Sequence, residues 1–497
     1  MTQVSETSRA GGLQAAVADH AAGRLDRAEV AYRLLAGGAG GDDRPERLLT
    51  ILETERALAK SDAPDWTLLV NPLLDLGGIA FASGWRESAE MAFRRALRAK
   101  PGSPAATAAL AQVLRERGLL AETLVLNDSL IRVDPKNARY HHERAVTLRK
   151  LDRMGEAVDG FQAALALKPD DAPARWGLAT TLIQSGPAKG PEGGREGEGW
   201  RLSAARWQLP THESRPRDRG LPAWTGEKLE GALLVWGEQG VGDEVMFAGL
   251  LRQASERTGG LVLDLLEKVA PLWRRSFPEA RLIGSDHEAP LDVVAQVAMG
   301  DLPAVVAGDA ARIGPLDPWL RADADRTRSL RQLYREGLGA GPLVGLCWRT
   351  GSDRLPGRNP DLPLWRPVLE TKGARFVSLQ PRPRADDIRL FRSWGAAVIH
   401  DAAIDAWDDL DAYAAQLSAL DLVISVDCTT VHLAGALGLA CWTLLPWPAD
   451  YRWPRHGAGT GWYPSMKLFP CAPDGDWVGP FSALVETLGR DTGRLQG

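Results

Sequence analysis

Small and aromatic residues in the first third of the chain recur with a fixed stride. Pro101, Pro135 and Pro169 follow "RAKP", "RVDP" and "ALKP" and stand 34 residues apart. Counting back from the first proline, Gly77, Gly84, Ala89, Phe93 and Ala96 mark the small and aromatic positions. Ala145, Ala157, Phe161 and Ala164 hold the same places before the third. The middle unit keeps Ala111 and Gly118 but puts Thr123 and Asn127 where Ala and Phe are expected. An earlier, degenerate unit shows Gly23, Ala28 and Tyr32 in register. This pattern predicts pairs of antiparallel helices in which small residues permit close approach. The aromatic fills the gap to the next unit, and the proline stops the second helix.

After residue 232 the texture changes to short apolar runs separated by amphipathic stretches, the pattern of parallel α/β units. "ALLVWG", "LVLDLL", "LVGLCW", "RFVSLQ", "AVIH", "LVISVD" and "CWTLLP" read as strands. They fall into two groups around the charged helical stretch 320–341, which predicts two Rossmann-like halves facing each other across a cleft. Between the repeats and this region, 187–199 is glycine-rich and charged and interrupts a further repeat, and 200–210 reads as its displaced partner helix. The expected division is helical repeats over 9–210 (clearest over 70–171), a linker over 211–230, and Rossmann-like halves over 231–330 and 331–497.

Ligands of open parallel sheets lie beyond the carboxyl ends of strands, where loops meet helix N-termini. That rule selects 237–244, 348–358 and 427–432. In the last, a strand is followed by Asp427, two threonines and the small residues Ala434, Gly435 and Ala436. The amides around Thr429, Thr430 and Val431 are expected to be free at a helix N-terminus and to suit phosphate. His432 in the same turn either touches the ligand or packs. "VWGEQGVGDEVMF" has the glycines of a phosphate loop but neither the P-loop ending nor the dinucleotide spacing.

Bulk properties narrow the function without naming it. A length of 497 residues allows roughly two to four domains. A formal charge of −5 gives no electrostatic reason to expect nucleic acid. No apolar run approaches the ~20 residues of a membrane helix. The first residues lack the basic and apolar regions of a signal peptide, so a cytoplasmic location is the expectation. Cys347, Cys428, Cys441 and Cys471 are scattered. They suit a reducing compartment and offer no zinc spacing.

Two resemblances follow from these motifs. The 34-residue units are similar to tetratricopeptide repeats, which implies a groove for a protein or peptide partner, or else a scaffold arm. The ordered set "WGEQGVGDEVMFAGLL", "VGLCWRTGS", "RFVSLQP", "DLVISVDCTTVHLAGALG" and "DYRWPRHGAGTGWYPSMKLF" resembles bacterial repeat proteins that carry a heptosyltransferase-like glycosyltransferase domain of the GT-B type. More distantly, the combination is similar to protein O-GlcNAc transferases. The resemblance implies a nucleotide-sugar co-substrate, no cofactor and no metal. It places the donor phosphates at Thr429, Thr430 and Val431, with Asp427 ordering that loop or contacting the donor and His432 supporting it. It makes Arg349 and Arg358 candidates to neutralise the departing phosphate, and Asp243 the candidate base. Gly240, Gly242 and Glu244 form the acceptor-side loop.

Each assignment has a plainer alternative. Asp243 is equally suited to cap a helix, and either arginine to make a surface ion pair. Asp409 and Asp411 mimic a metal-binding acid pair but precede an amphipathic helix, which capping explains better. Trp447, Tyr451, Trp453, Trp462 and Tyr463 stack on a ligand or pack the fold. Cys428 stands where the family often has Thr, and "PSMKLFP" lacks the Arg-Gln frequent after its phenylalanine. The expected function is transfer of a sugar to a protein held by the repeats, with flagellin one acceptor by analogy. The alternatives are an envelope or lipid-linked glycan as acceptor, or a non-catalytic adaptor.

Overall fold

A computed structural model describes residues 6–36, 42–185, 195–212, 214–217, 219–284, 287–307, 313–351 and 357–492. Most of the glycine-rich insertion, 187–194, lies outside the described residues. Contacts divide the chain into two units, Met1–Gly177 and Leu178–Gly497.

The first unit is an array of helical repeats of the tetratricopeptide kind. Its helix pairs are Val70–Ala82 with Arg86–Ala99, Pro104–Glu116 with Leu120–Val133, and Ala138–Lys150 with Met154–Leu167. Each pair is displaced by 34 residues from the one before, and each second helix ends two residues before Pro101, Pro135 or Pro169. The small positions are small because aromatics lie on them: a Cβ on Gly77 would come within 2.2 Å of the Phe93 ring, and one on Gly177 within 2.3 Å of Phe161. The turn inside each pair needs a left-handed residue, at Gly84 (φ 83°), Gly118 (φ 77°) and Asp152 (φ 62°). The polar substitutes of the middle unit are buried but satisfied. Asn127 Nδ2 donates to Thr147 Oγ1 at 3.1 Å, and Thr123 Oγ1 to the Leu119 carbonyl at 2.9 Å.

The second unit is a parallel-sheet α/β region. β1 (Ala232–Trp236), β2 (Leu261–Asp264), β3 (Arg281–Ile283) and β4 (Val293–Ala298) form one sheet in the order β3-β2-β1-β4. β5 (Leu343–Cys347), β6 (Arg375–Ser378), β7 (Val398–His400), β8 (Leu422–Val426), β9 (Cys441–Leu445) and β10 (Met466–Pro470) form the other, ordered β10-β9-β8-β5-β6-β7. The second sheet thus has the strand order of a doubly wound dinucleotide-binding sheet, with its reversal between β5 and β8. All seven sequence-predicted strands are present; β3, β4 and β10 are additional.

Residues 200–210 contain the end of a short helix, Glu196–Leu202, and a 3₁₀ turn, Ser203–Gln208. Trp200 is buried there, with its ring 5.8 Å from Phe247 and 6.0 Å from Trp462. One apolar core runs under both sheets. Trp319 joins them: its indole donates to the Val245 carbonyl at 2.9 Å, its backbone amide to Ala436 at 3.0 Å, and its ring stacks on Tyr463. Helix Val241–Phe247 therefore meets helix Thr429–Ala436, and Gly242 permits it: a Cβ there would lie 3.1 Å from His432 Cδ2.

Candidate functional site

A cavity of about 670 Å³ opens where the loops after β1, β5 and β8 converge. Gly240, Gly242, Asp243, Arg349, Arg358, Asp427, Thr429, Thr430 and His432 all line it. The structure thus brings together nine residues picked from three separate stretches of sequence.

The floor is built at the β5–β8 switch point. Gln380 fixes the loop after β5: its Oε1 accepts from the amides of Trp348 (3.1 Å) and Arg349 (2.9 Å), and its Nε2 donates to the Arg349 carbonyl at 2.9 Å. Arg349 Nη2 reaches Asp387 at 3.3 Å, while its Nη1 is buried with no hydrogen-bond partner among the described residues. Residues 352–356 of this loop lie outside the described residues. Arg358 Nη2 donates to Asp427 Oδ2 at 2.7 Å, and Arg358 Nε is likewise buried and unpartnered among the described residues. Asp427 is completed by the Trp453 indole, which donates to Oδ1 at 3.0 Å. Burial pushes the Asp427 carboxyl up, and the Arg358 charge works against that shift.

The helix that follows differs in part from the sequence expectation. The Val431 amide donates to the Cys428 carbonyl at 3.1 Å, and its side chain is fully buried in the core. Val431 therefore offers the cavity neither an unspent amide nor a side chain, because the first turn closes on itself. Thr430 is buried, with its hydroxyl 2.7 Å from Tyr413 Oη. Thr429 is left as the less committed hydroxyl of the turn. His432 packs: its Nδ1 lies 2.9 Å from Tyr463 Oη and its ring stacks on Trp453 at 5.3 Å. Burial lowers its pKa to about 4, so the imidazole is neutral at ordinary pH.

The opposite wall comes from the loop after β1. Glu238 points away from the cavity into a buried network, accepting from Arg206 Nη2 at 2.7 Å and the Gly300 amide at 2.8 Å. Gln239 takes a left-handed φ of 61°, and the chain then turns into helix Val241–Phe247. Asp243 caps that helix, with Oδ2 accepting from the Gly240 amide at 3.3 Å. It also forms an ion pair with Arg452. Glu244, expected on this loop's ligand side, is buried and is absent from the cavity lining. It packs beneath Gly237, where a Cβ would come 2.0 Å from its Oε1. Burial raises its pKa to about 8.

Sequence reading missed Arg452 and Asp450. Arg452 donates to Asp450 Oδ1 at 2.6 Å and to Gln239 Oε1 at 2.9 Å, so it ties the loop after β9 to the loop after β1. Burial opposes its charge, but Asp243 and Asp450 outweigh burial and hold its pKa high. Both residues lie within "DYRW", where the aromatics are the conspicuous feature of the sequence. The aromatics pack: Trp453, Trp462 and Tyr463 are buried, and Trp447 lies under the Arg455 guanidinium at 3.9 Å. The Asp409/Asp411 pair is a helix start: Asp409 accepts from the Ala412 amide at 2.9 Å, and Asp411 pairs with Arg275. Among the described residues no group of three or more His, Cys, Asp or Glu is placed to hold a metal, and no helix is long and apolar enough to cross a membrane.

No protein-family model matches the chain. Among solved structures, a crystal structure of MamA superposes with a TM-score of 0.25 at 18% identity, over 28% of this chain and 77% of that one. The TPR domain of Arabidopsis OM64 gives a TM-score of 0.23 at 17% identity, over 23% of this chain and 96% of that one. The comparison with characterised sequences is far more extensive. Over 426 residues, 80% of this chain and 69% of its relative, 31% of positions are identical to Protein FlbA of Caulobacter vibrioides. That identity, over most of both chains, makes the chain a member of the Protein FlbA family.

Proposed function

We propose that this protein is a GT-B glycosyltransferase that moves a sugar from a nucleotide-sugar donor to a hydroxyl of a protein presented by its helical repeats. One observation carries the reading. Arg349 Nη1 and Arg358 Nε are buried donors without partners among the described residues, on the wall of a cavity at the switch point of a doubly wound sheet. Unpaired buried donors on cations are costly, and an anion offsets that cost. Nucleotide phosphates are the anions such switch points commonly hold.

The chemistry uses the same wall. When the glycosidic bond breaks, negative charge grows on the leaving phosphate, and Arg349, Arg358 and the Thr429 hydroxyl are there to stabilise it. Across the cavity, Asp243 accepts the proton of the acceptor hydroxyl as it attacks the anomeric carbon. Flagellin remains the acceptor suggested by analogy with repeat-containing enzymes.

A second reading, a nucleotide-binding adaptor without turnover, draws support from the Arg452–Asp243 ion pair, since the helix cap and the ion pair already engage that carboxylate. Incubation with a panel of UDP-, GDP-, ADP- and CMP-linked sugars separates the two. Donor hydrolysis by the wild type that is lost in Asp243→Ala supports the transferase. Binding without turnover supports the adaptor, and absence of binding sinks both.

A further inference from the structure

The proposed transfer leaves two neighbouring thiols without a role, one lining the cavity and one buried beneath it. Cys347 Sγ and Cys428 Sγ lie 3.7 Å apart. They come from the ends of neighbouring strands, with Cys347 paired in register to Ser425, three positions before Cys428. Cys347 is fully buried, whereas Cys428 is partly exposed and lines the cavity.

The two sulfurs are not equivalent. The contact with Cys347, helped by the Ser425 and Thr430 hydroxyls, favours the thiolate on Cys428 in spite of burial. The contact with Cys428 together with burial keeps Cys347 protonated. Oxidation proceeds reversibly where an accessible thiolate has a second thiol beside it to resolve the product. The other cysteines are engaged elsewhere: Cys441 Sγ is 3.7 Å from Thr443 Oγ1, and Cys471 donates to the Asp476 carbonyl at 3.2 Å.

We propose that Cys428 and Cys347 form a peroxide-sensitive pair, Cys428 reacting first and Cys347 resolving. The Cys428 thiolate attacks one oxygen of hydrogen peroxide; the O–O bond breaks, hydroxide leaves and a sulfenic acid forms. Cys347 loses its proton and attacks the Cys428 sulfur; the S–O bond breaks, the hydroxyl leaves as water, and a disulfide remains. The two thiols supply the two electrons that reduce the peroxide. Closure to an S–S bond of about 2.05 Å draws Cys428, the N-cap of helix Thr429–Ala436, towards the end of β5. The disulfide therefore reshapes the cavity floor between Asp427 and Thr429.

The test needs only the wild-type chain, hydrogen peroxide and non-reducing peptide mapping. The expected product has lost two hydrogens, carries a Cys347–Cys428 cross-link, and reverts fully with dithiothreitol. In Cys347→Ser, dimedone should trap the sulfenic acid at Cys428, and Cys428→Thr should give neither product. A wild-type protein that stays unreacted, accumulates sulfinic acid at Cys428 without a cross-link, or joins Cys428 to Cys441 would overturn the proposal.

Discussion

Arg452 and Asp243 form an ion pair across the cavity, joining the loop after β9 to the N-terminus of the helix after β1. Asp450 takes the other side of the same guanidinium at 2.6 Å. A carboxylate in this position is both helix cap and counter-ion. Removing the cation leaves two largely buried acids facing each other, so Arg452→Met is expected to cost roughly 3 kcal/mol of stability. Arg452→Met combined with Asp450→Asn should recover part of that loss, which chemical denaturation of the three proteins would measure.

Arg358 pairs with Asp427 and keeps one buried N–H unspent, so it couples the floor of the cavity to any bound anion. Arg358→Ala should weaken nucleotide binding by about 10- to 100-fold, the worth of roughly one or two charge-assisted hydrogen bonds. Arg358→Lys should restore only part, because a compact ammonium lacks the planar fork whose spread donors reach Asp427 and a second acceptor together. Calorimetric titration with the preferred nucleotide gives the comparison.

Glu244 makes stability depend on pH. Its pKa rises from 4.5 to about 8 on folding, chiefly through burial. Below pH 4.5 the carboxyl is protonated in both states and contributes nothing. Between 4.5 and 8 the unfolded chain ionises while the folded one stays protonated, so stability falls as pH rises, and the penalty is complete above 8. Glu244→Gln should remove this component, and its melting temperature should exceed that of the wild type by a margin that grows from pH 5 to pH 9.

In the repeat array, Gly77→Ala places a methyl group in the volume of the Phe93 ring. The expected cost is about 1–3 kcal/mol. Pairing it with Phe93→Leu should return part of the loss, and thermal melting of the first unit's helices reads both.

The repeats were legible because their constraint is local: a small residue under each aromatic and a proline after each second helix recur every 34 residues. The seven strands read from sequence are continuous apolar runs. β3 is three residues long and only partly covered, and β4 breaks its apolar run with Gln296, whose side chain donates to the Leu221 carbonyl. β10 carries Lys467 and ends on Pro470. Loops after strands were a sound guide to the cavity because parallel sheets place them at one edge. Arg452 escaped because nothing near it in sequence announces a carboxylate more than two hundred positions earlier. Val431 and Glu244 turn to the core for a shared reason: both lie in the first turn of a helix, where neighbouring residues face either the ligand side or the core and spacing alone does not say which.

The central claim is that the cavity holds a nucleotide sugar and that Asp243 drives its transfer. The most direct measurement is release of nucleotide from the preferred donor by wild type and by Asp243→Ala, with donor affinity determined for both. The account predicts equal donor affinity and a loss of turnover on the order of 10²- to 10⁴-fold in the variant. Failure of every donor to bind the wild type, or turnover unchanged in Asp243→Ala, would contradict it.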